Sequence, residues 1–230
     1  MKIVILTGAG ISAESGLKTF RDSGGLWEGH DVTQVATPEA WDRNKAMVLK
    51  FYNERRRQLK EVSPNPAHLA LAQLENKHET LVITQNVDDL HERAGTTNII
   101  HLHGELNKVR SSRDHSLVYS WSGDLNEGDN CEEGFQLRPH IVWFGEAVPM
   151  LDKAIHHMLD ADVAIIVGTS MQVYPAASLI GYAPQSCEIY YVDPNPTISY
   201  ELRISNNLNT IPEKATTGVP PLVERLLTRP

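Results

Sequence analysis

Cysteine is nearly missing from this chain: 230 residues hold only Cys131 and Cys187, far apart. Two thiols outside any Cys-x-x-Cys spacing exclude a disulfide framework and a zinc centre built on thiolates. Basic residues are also in deficit, 21 Lys and Arg against 29 Asp and Glu, giving a net charge of −8 and a pI near 5.7. That balance argues against general affinity for nucleic acid or an anionic membrane, both of which favour basic surfaces. A basic polypeptide suits it better as a partner. No run approaches the roughly twenty apolar residues of a membrane-spanning helix. Residues 1–6 run straight into a glycine motif and are too short for a signal-peptide apolar region, so a reduced, cytoplasmic protein is expected. Internal repeats and low-complexity segments are missing too. At 41% hydrophobic content, the length suits one α/β core with a smaller appended module.

Residues 2–6 read as a buried strand. Residues 7–13, TGAGISA, then set Gly8, Gly10 and Ala13 in the pattern G-x-G-x-x-G/A that opens a dinucleotide-binding βα unit. Glycine lets the backbone turn tightly and approach a pyrophosphate, whose charge is met by amides at the following helix N-terminus. Taken alone the motif also fits a plain strand-to-helix turn. Ordinary dehydrogenases add an acidic residue about 20 positions on, but residues 14–27, ESGLKTFRDSGGLW, have no strand pattern. They predict a long loop covering a ligand.

Thr37-Pro38-Glu39 announces a helix that runs to about residue 62. On it Tyr52 and Arg55 are three apart and share a face; an exposed basic end with a half-buried tyrosine is the plainer reading. A second helix spans 67–75. Strands over 80–84 and 98–102 end in Gln85-Asn86-Val87-Asp88 and His103-Gly104. In an open α/β sheet, ligands bind at the carboxyl ends of strands. A histidine there, with an ordinary pKa of about 6.5, is the commonest general base. Residues 107–138 are polar and turn-rich, a small module packed by Tyr119, Trp121 and Phe135. Strand character returns over 139–146, then a helix over 151–159. The strand over 162–167 ends in Gly168-Thr169-Ser170, a turn suited to phosphate or ribose. A helix over 175–182, a strand over 188–192 ending in Asp193, and a helix over 221–227 complete the alternation. The expected fold is α/β: a Rossmann-like, doubly wound parallel sheet with a smaller inserted module. One catalytic domain fills 1–230, its core about 1–30, 78–106 and 139–230, with a helical segment at about 36–77 and the module at about 107–138.

In this order, GAGISAESG (8–16), TFR (19–21), TQNVD (84–88), HGEL (103–106), VWFGE (142–146) and GTS (168–170) resemble the motifs of the sirtuins, NAD-dependent protein lysine deacylases. The resemblance covers nearly the whole chain. Tyr52 and Arg55 fall where the bacterial CobB-type members and their desuccinylase relatives carry a Tyr-x-x-Arg pair. The resemblance implies that NAD lies across the switch point of the sheet, with Gly8, Ala9 and Ser170 near its phosphates. Gly10, Ala13, Gly168, Thr169 and Ala215 join that cofactor-binding set, and Phe20 and Arg21 sit in the covering loop. Gln85 would contact ribose, while Asn86 and Asp88 would hold an ordered water and the nicotinamide amide. Asp193 stands where many relatives have asparagine; it can accept hydrogen bonds from ribose hydroxyls but lacks the donor.

In the implied mechanism the acyl-lysine carbonyl oxygen attacks the nicotinamide ribose and expels nicotinamide. His103 is then general base on a ribose hydroxyl, with Asn86 as its catalytic companion, and the products are free lysine and O-acyl-ADP-ribose. NAD is consumed. Val142, Phe144 and Gly145, with the loop after Ser170, resemble the edges that clamp substrate as an added strand, although Phe144 also fits an ordinary core position. Arg55 can grip a carboxylate bidentately and Tyr52 can add a hydrogen bond, which predicts succinyl- and malonyl-lysine as substrates beside acetyl-lysine. Acylated lysines of proteins or peptides are the expected partners of a monomer.

One departure stands out. Sirtuins usually carry two cysteine pairs that bind a structural zinc. Here Ser111 and Ser112 occupy the first-pair region and Cys131-Glu132-Glu133-Gly134 the second. One thiolate with His115 or His140 is a poor substitute for four ligands, so no zinc is expected. The rivals are a non-catalytic NAD-binding sensor, which Asp193 and the missing pairs favour, and a protein mono-ADP-ribosyltransferase. A hydride-transferring dehydrogenase would lack its ribose-binding acid. His103, Asn86 and Asp88 together favour the deacylase.

Overall fold

The computed structural model describes residues 1–17, 26, 27, 30–205 and 207–229. Strand β1 (Lys2–Thr7) leads into helix α1 (Ala9–Ala13). The short strands β2 (Leu26–Trp27) and β3 (His30–Asp31) precede α2 (Val32–Val35), α3 (Pro38–Arg43), α4 (Lys45–Glu61) and α5 (Pro66–Gln73). Next come β4 (Glu79–Thr84), α6 (Leu90–Arg93), β5 (Ile99–His101), β6 (Gly104–Ser111), β7 (Val118–Ser120) and β8 (Leu137–Ile141). The last stretch holds α7 (Leu151–Met158), β9 (Val163–Val167), a 3-10 segment (Ala176–Tyr182), β10 (Glu188–Val192), α8 (Tyr200–Arg203), β11 (Leu208–Ile211) and α9 (Ala215–Thr228).

Six strands form one parallel sheet in the order β11-β10-β9-β1-β4-β5. Successive residues of a strand point to opposite faces, and here both faces are buried. Ile3, Ile5, Val82 and Ile165 pack on α5 and α9, whereas Val4, Leu6, Leu81 and Ile166 pack towards α7 and the 3-10 segment. That double cover explains the near-continuous apolar runs of β1, β4 and β9. The chain builds outward from β1 through β4 and β5, then returns to the other side of β1 for β9, β10 and β11. The reversal falls between β1 and β9, where open α/β sheets bind ligands. Register pairs Thr7 with both Thr84 and Val167, so three strand ends lie level there. The fold is the expected Rossmann-like one.

A second, antiparallel sheet, β7-β6-β8, packs with α2, α3 and α4 around Trp41, Phe51, Tyr52, Leu106, Val109 and Trp143. It reaches from Gly104 to Ile141, a little beyond residues 107–138 on each side.

Several elements differ from expectation. The helix over 37–62 is broken at Asn44 (φ −154°, ψ 78°), whose side chain accepts the Met47 N–H and caps α4. Asparagine at an N-cap satisfies an orphan amide that a continuous helix would not present. The strand over 139–146 stops at Ile141 and pairs with β6 rather than the main sheet, because Glu146 draws the Trp143 N–H back into a turn. The final helix begins at Ala215, not near 221, and carries Pro220 and Pro221 inside it. Glu14 caps it from afar by accepting the N–H and hydroxyl of Thr216. The expected covering loop, with Phe20 and Arg21, lies mainly outside the described residues. Among those residues no helix is long and apolar enough to cross a membrane.

Candidate active site

The site grows from the ends of β1, β4, β5 and β9. Thr7 and Thr84 close adjacent strands, and their hydroxyls bond at 2.8 Å, with His91 Nε2 3.0 Å from Thr7 Oγ1. Thr84 Oγ1 also takes the Asn86 N–H at 3.0 Å. These buried hydroxyls turn the chain at the strand end and fix residues 85–88.

Asn86 is held on several sides. Its amide nitrogen donates to the Gly8 carbonyl (3.1 Å) and Ser12 Oγ (3.2 Å), which aims Oδ1 the other way. The Ser12 hydroxyl in turn donates to Asp88 Oδ2 at 2.9 Å, and Asp88 Oδ1 accepts the Leu90 N–H at 3.1 Å. Burial pushes the Asp88 carboxyl up, against these two hydrogen bonds. Asp88 therefore braces the loop that carries Asn86.

His103 follows β5, and its Nδ1 lies 3.0 Å from the Gln85 carbonyl oxygen. A carbonyl can only accept, so Nδ1 bears the proton and Nε2 keeps the lone pair a general base needs. Burial lowers the imidazole pKa, with the Gln85 bond opposing; the ring is neutral at pH 7. His101 is different. Its Nδ1 faces the Asn86 carbonyl at 3.1 Å and its Nε2 the Glu92 carboxylate at 2.7 Å. Two acceptors require two N–H donors, so His101 is an imidazolium. Burial opposes that charge, but Glu92 outweighs it and the pKa rises. His101 is a support, not a base.

On the other side of β1, the Gly8 and Gly10 N–H groups donate to the Val167 and Gly168 carbonyls at 3.0 and 2.8 Å. Those amides are thus spent on joining two strand-end turns. A Cβ on Gly10 would lie 2.7 Å from Gly168 Cα, and one on Gly168, at φ +60°, would lie 2.3 Å from the Ile11 nitrogen. The glycines let these turns interlock, leaving Ala9 exposed and Ala13 and Ser170 half-buried at the rim. Gln85 Nε2 reaches across to Thr169 Oγ1 at 3.1 Å. Asp193, buried at the end of β10, accepts the Asn195 N–H at 2.8 Å. Ala215 is buried at the start of α9.

The predicted residues Gly8, Gln85, Asn86, Asp88, Thr169 and His103 thus form one hydrogen-bonded group. The Val142 N–H donates to the His103 carbonyl at 2.9 Å, which ties the 142–146 turn to the base. Phe144 is half exposed and not core, while its N–H binds the Ala36 carbonyl at 3.0 Å. Gly145 sits at φ +90°. Tyr52 and Arg55 do not join the group. They are buried in the neighbouring core, where Tyr52 Oη accepts the Trp143 indole N–H at 3.0 Å. Thr7, Ser12, Thr84 and His91 escaped sequence reasoning; the paired threonines ending β1 and β4 were the available signal.

The Sir2 family profile matches residues 8–175. The chain is 56% identical over 225 residues to an NAD-dependent protein deacylase of Helicobacter pylori, covering 98% of this chain and 97% of the relative. The chain belongs to the Sir2 family. An NAD-dependent protein deacylase of Bacteroides thetaiotaomicron is 49% identical, with 99% of each chain covered. Among solved structures, a Sir2 homologue in complex with NAD superposes with a TM-score of 0.86 at 39% identity, covering 98% of this chain and 89% of that one.

The donor set fits a dinucleotide: a base and a braced asparagine on the β4–β5 side, interlocked small-residue turns at the switch point, and a carboxylate on β10 for ribose hydroxyls. The zinc region holds other bonds. Cys131 Sγ lies 3.5 Å from Ser111 Oγ. Among the described residues, the one group of three side chains spaced to hold a metal ion is Glu92, His101 and Glu105, and His101 offers it no lone pair.

Proposed function

We infer that this Sir2-family protein removes acyl groups from lysine side chains of proteins and peptides while consuming NAD. The observation that carries the reading is His103, fixed through Nδ1 on the Gln85 carbonyl, which leaves Nε2 as its basic nitrogen. When bound, NAD supplies an electrophilic ribose carbon, nicotinamide as leaving group, and the ribose hydroxyl whose deprotonation His103 serves. Gly8, Ala9, Gly10, Ala13, Gly168, Thr169, Ser170, Asp193 and Ala215 are the residues to hold it, with Gln85, Asn86 and Asp88 on the nicotinamide side. Asn86 Oδ1, aimed away from its own donors, is suited to an amide N–H or a water. His103 takes a proton at Nε2 and keeps its orientation, because Nδ1 remains anchored.

Tyr52 and Arg55 form the acyl end of this reading. A guanidinium and a phenol sharing a buried helix face match the carboxylate of a succinyl or malonyl group, and charge-assisted hydrogen bonds contribute about 1.5–3 kcal/mol. Val142, Phe144 and Gly145 provide one edge for the peptide backbone. A monomer in the cytoplasm, with both cysteines buried and reduced, completes the proposal. The test is peptide mass after incubation with acetyl- and succinyl-lysine peptides, with and without NAD, beside His103→Ala. Acyl loss that needs NAD and vanishes in the variant is expected; NAD binding without acyl loss would favour the sensor.

A further inference from the structure

We propose that Trp143 is a positioning residue that sets the enzyme's preference for acidic acyl groups, acting through the hydroxyl of Tyr52. This rests on the reading of Tyr52 and Arg55 as the acyl-recognition pair. Trp143 is 2% and Tyr52 0% exposed, and the indole Nε1 lies 3.0 Å from the phenol oxygen. An indole N–H can only donate. The Tyr52 oxygen must therefore accept from Trp143, and its own proton is directed away from the indole, as a donor to a carboxylate requires. Burial also holds the phenol far above its ordinary pKa, with the Trp143 bond opposing, so that proton stays in place.

The indole is itself immobilised. Its backbone N–H donates to Glu146 Oε2 at 2.8 Å, the Arg138 guanidinium centre lies 3.3 Å from its ring centroid, and the Trp41 ring packs at 5.8 Å. Glu146 binds Arg138 at 2.7 and 3.1 Å and Arg110 at 3.2 and 3.3 Å. Two guanidiniums share one carboxylate, so this support carries a net positive charge beside Tyr52, which favours an anionic acyl group over a neutral one. Arg138, Arg110 and Glu146 hold Trp143, and Trp143 holds the phenol.

The test is a double-mutant cycle on kcat/KM for succinyl- and acetyl-lysine peptides. Trp143→Phe keeps an aromatic ring in the packing and removes the N–H. It is expected to lower succinyl turnover about three- to tenfold more than acetyl turnover, the worth of one neutral hydrogen bond. In a Tyr52→Phe background the same change should leave the succinyl-to-acetyl ratio where Tyr52→Phe put it. Equal loss on both peptides, or selective loss persisting without the phenol oxygen, overturns the proposal. If Tyr52→Phe and Arg55→Met leave the ratio untouched, the acyl reading itself has failed, a result distinct from failure of Trp143 alone. Should Trp143→Phe not fold, the indole N–H resonance of Trp143 in the unsubstituted enzyme serves. It should shift when succinyl-lysine peptide is added and stay still with acetyl-lysine peptide; the reverse counts against the proposal.

Discussion

The imidazole of His103 and the carbonyl of Gln85 are locked at 3.0 Å, and this one bond decides which ring nitrogen can act as a base. Since the anchor is backbone, no side-chain change at position 85 removes it. His103→Ala should cost about 10²- to 10⁴-fold in kcat and leave NAD affinity within a few-fold by calorimetry. The competent form is the neutral ring, and burial lowers its pKa. Deacylation should therefore rise with pH along a limb centred below about 6.5, the ordinary histidine value, and be flat above neutrality. A limb centred well above 7 in kcat/KM would contradict the assignment.

His101 carries the opposite charge state two residues earlier, and Glu92 sustains it. Its folded pKa is raised, so its stabilisation is fully present below the unfolded value of about 6.5 and is lost as pH rises through the folded value. The Glu92 carboxyl is lowered despite burial, by the His101 bond and charge, so its share fades only under acid. Glu92→Gln should cost about 1 kcal/mol near pH 6, a figure discounted for the partial exposure of the carboxylate, and less at pH 9. Thermal unfolding at both pH values checks this; an equal Tm loss at the two would refute the imidazolium.

Much of this was legible in the chain because it depended on short-range pattern. Apolar runs of β1, β4 and β9 announce strands buried on both faces, and a glycine or polar cluster at each end marks the edge where Gly8, Asn86, His103 and Gly168 gather. What escaped depends on partners distant in sequence. The break at Asn44 is the exception, a local cap on the Met47 N–H set within otherwise helical spacing. The start of α9 is set by Glu14, 202 residues away from Thr216. Gly8 and Gly10 suggest a phosphate turn, yet their Cβ positions are taken by the Gly168–Thr169 turn, a contact no local pattern reveals. The role of Trp143 likewise emerges only once Glu146 and Tyr52 are seen on either side of it.

His68 and His91 meet in the core behind the site, ring centroids 4.9 Å apart. Burial holds His68 down at about 4 and pushes His91 down as well. Folded values below the unfolded one mean that the unfolded chain takes up protons first. Their stabilisation is complete above pH 6.5 and disappears as pH falls towards 4. The His68 shift alone corresponds to about 3 kcal/mol over that window. Urea denaturation at pH 7.5 and pH 5 should show the loss, and His68→Gln should flatten the difference. An unchanged slope in the variant would show that other groups govern acid unfolding.

Gln136 organises the module where sirtuins usually hold zinc. Its Oε1 accepts the Gly128 N–H at 2.8 Å, and its Nε2 lies 3.0 Å from each of the Asn126, Asp129 and Leu137 carbonyls. One side chain thereby closes the 126–137 loop onto β8, a task that metal ligation performs in zinc modules. If these bonds replace the metal, prolonged dialysis against a strong chelator should leave both Tm and deacylase rate unchanged. Gln136→Ala should cost about 1–2 kcal/mol, the worth of a lost hydrogen-bonding group whose partners stay partly buried. It should also raise proteolytic nicking between residues 126 and 137 while His103 chemistry persists. Elemental analysis finding one zinc per chain, with a chelator-dependent fall in Tm, would show that the module is metal-held after all.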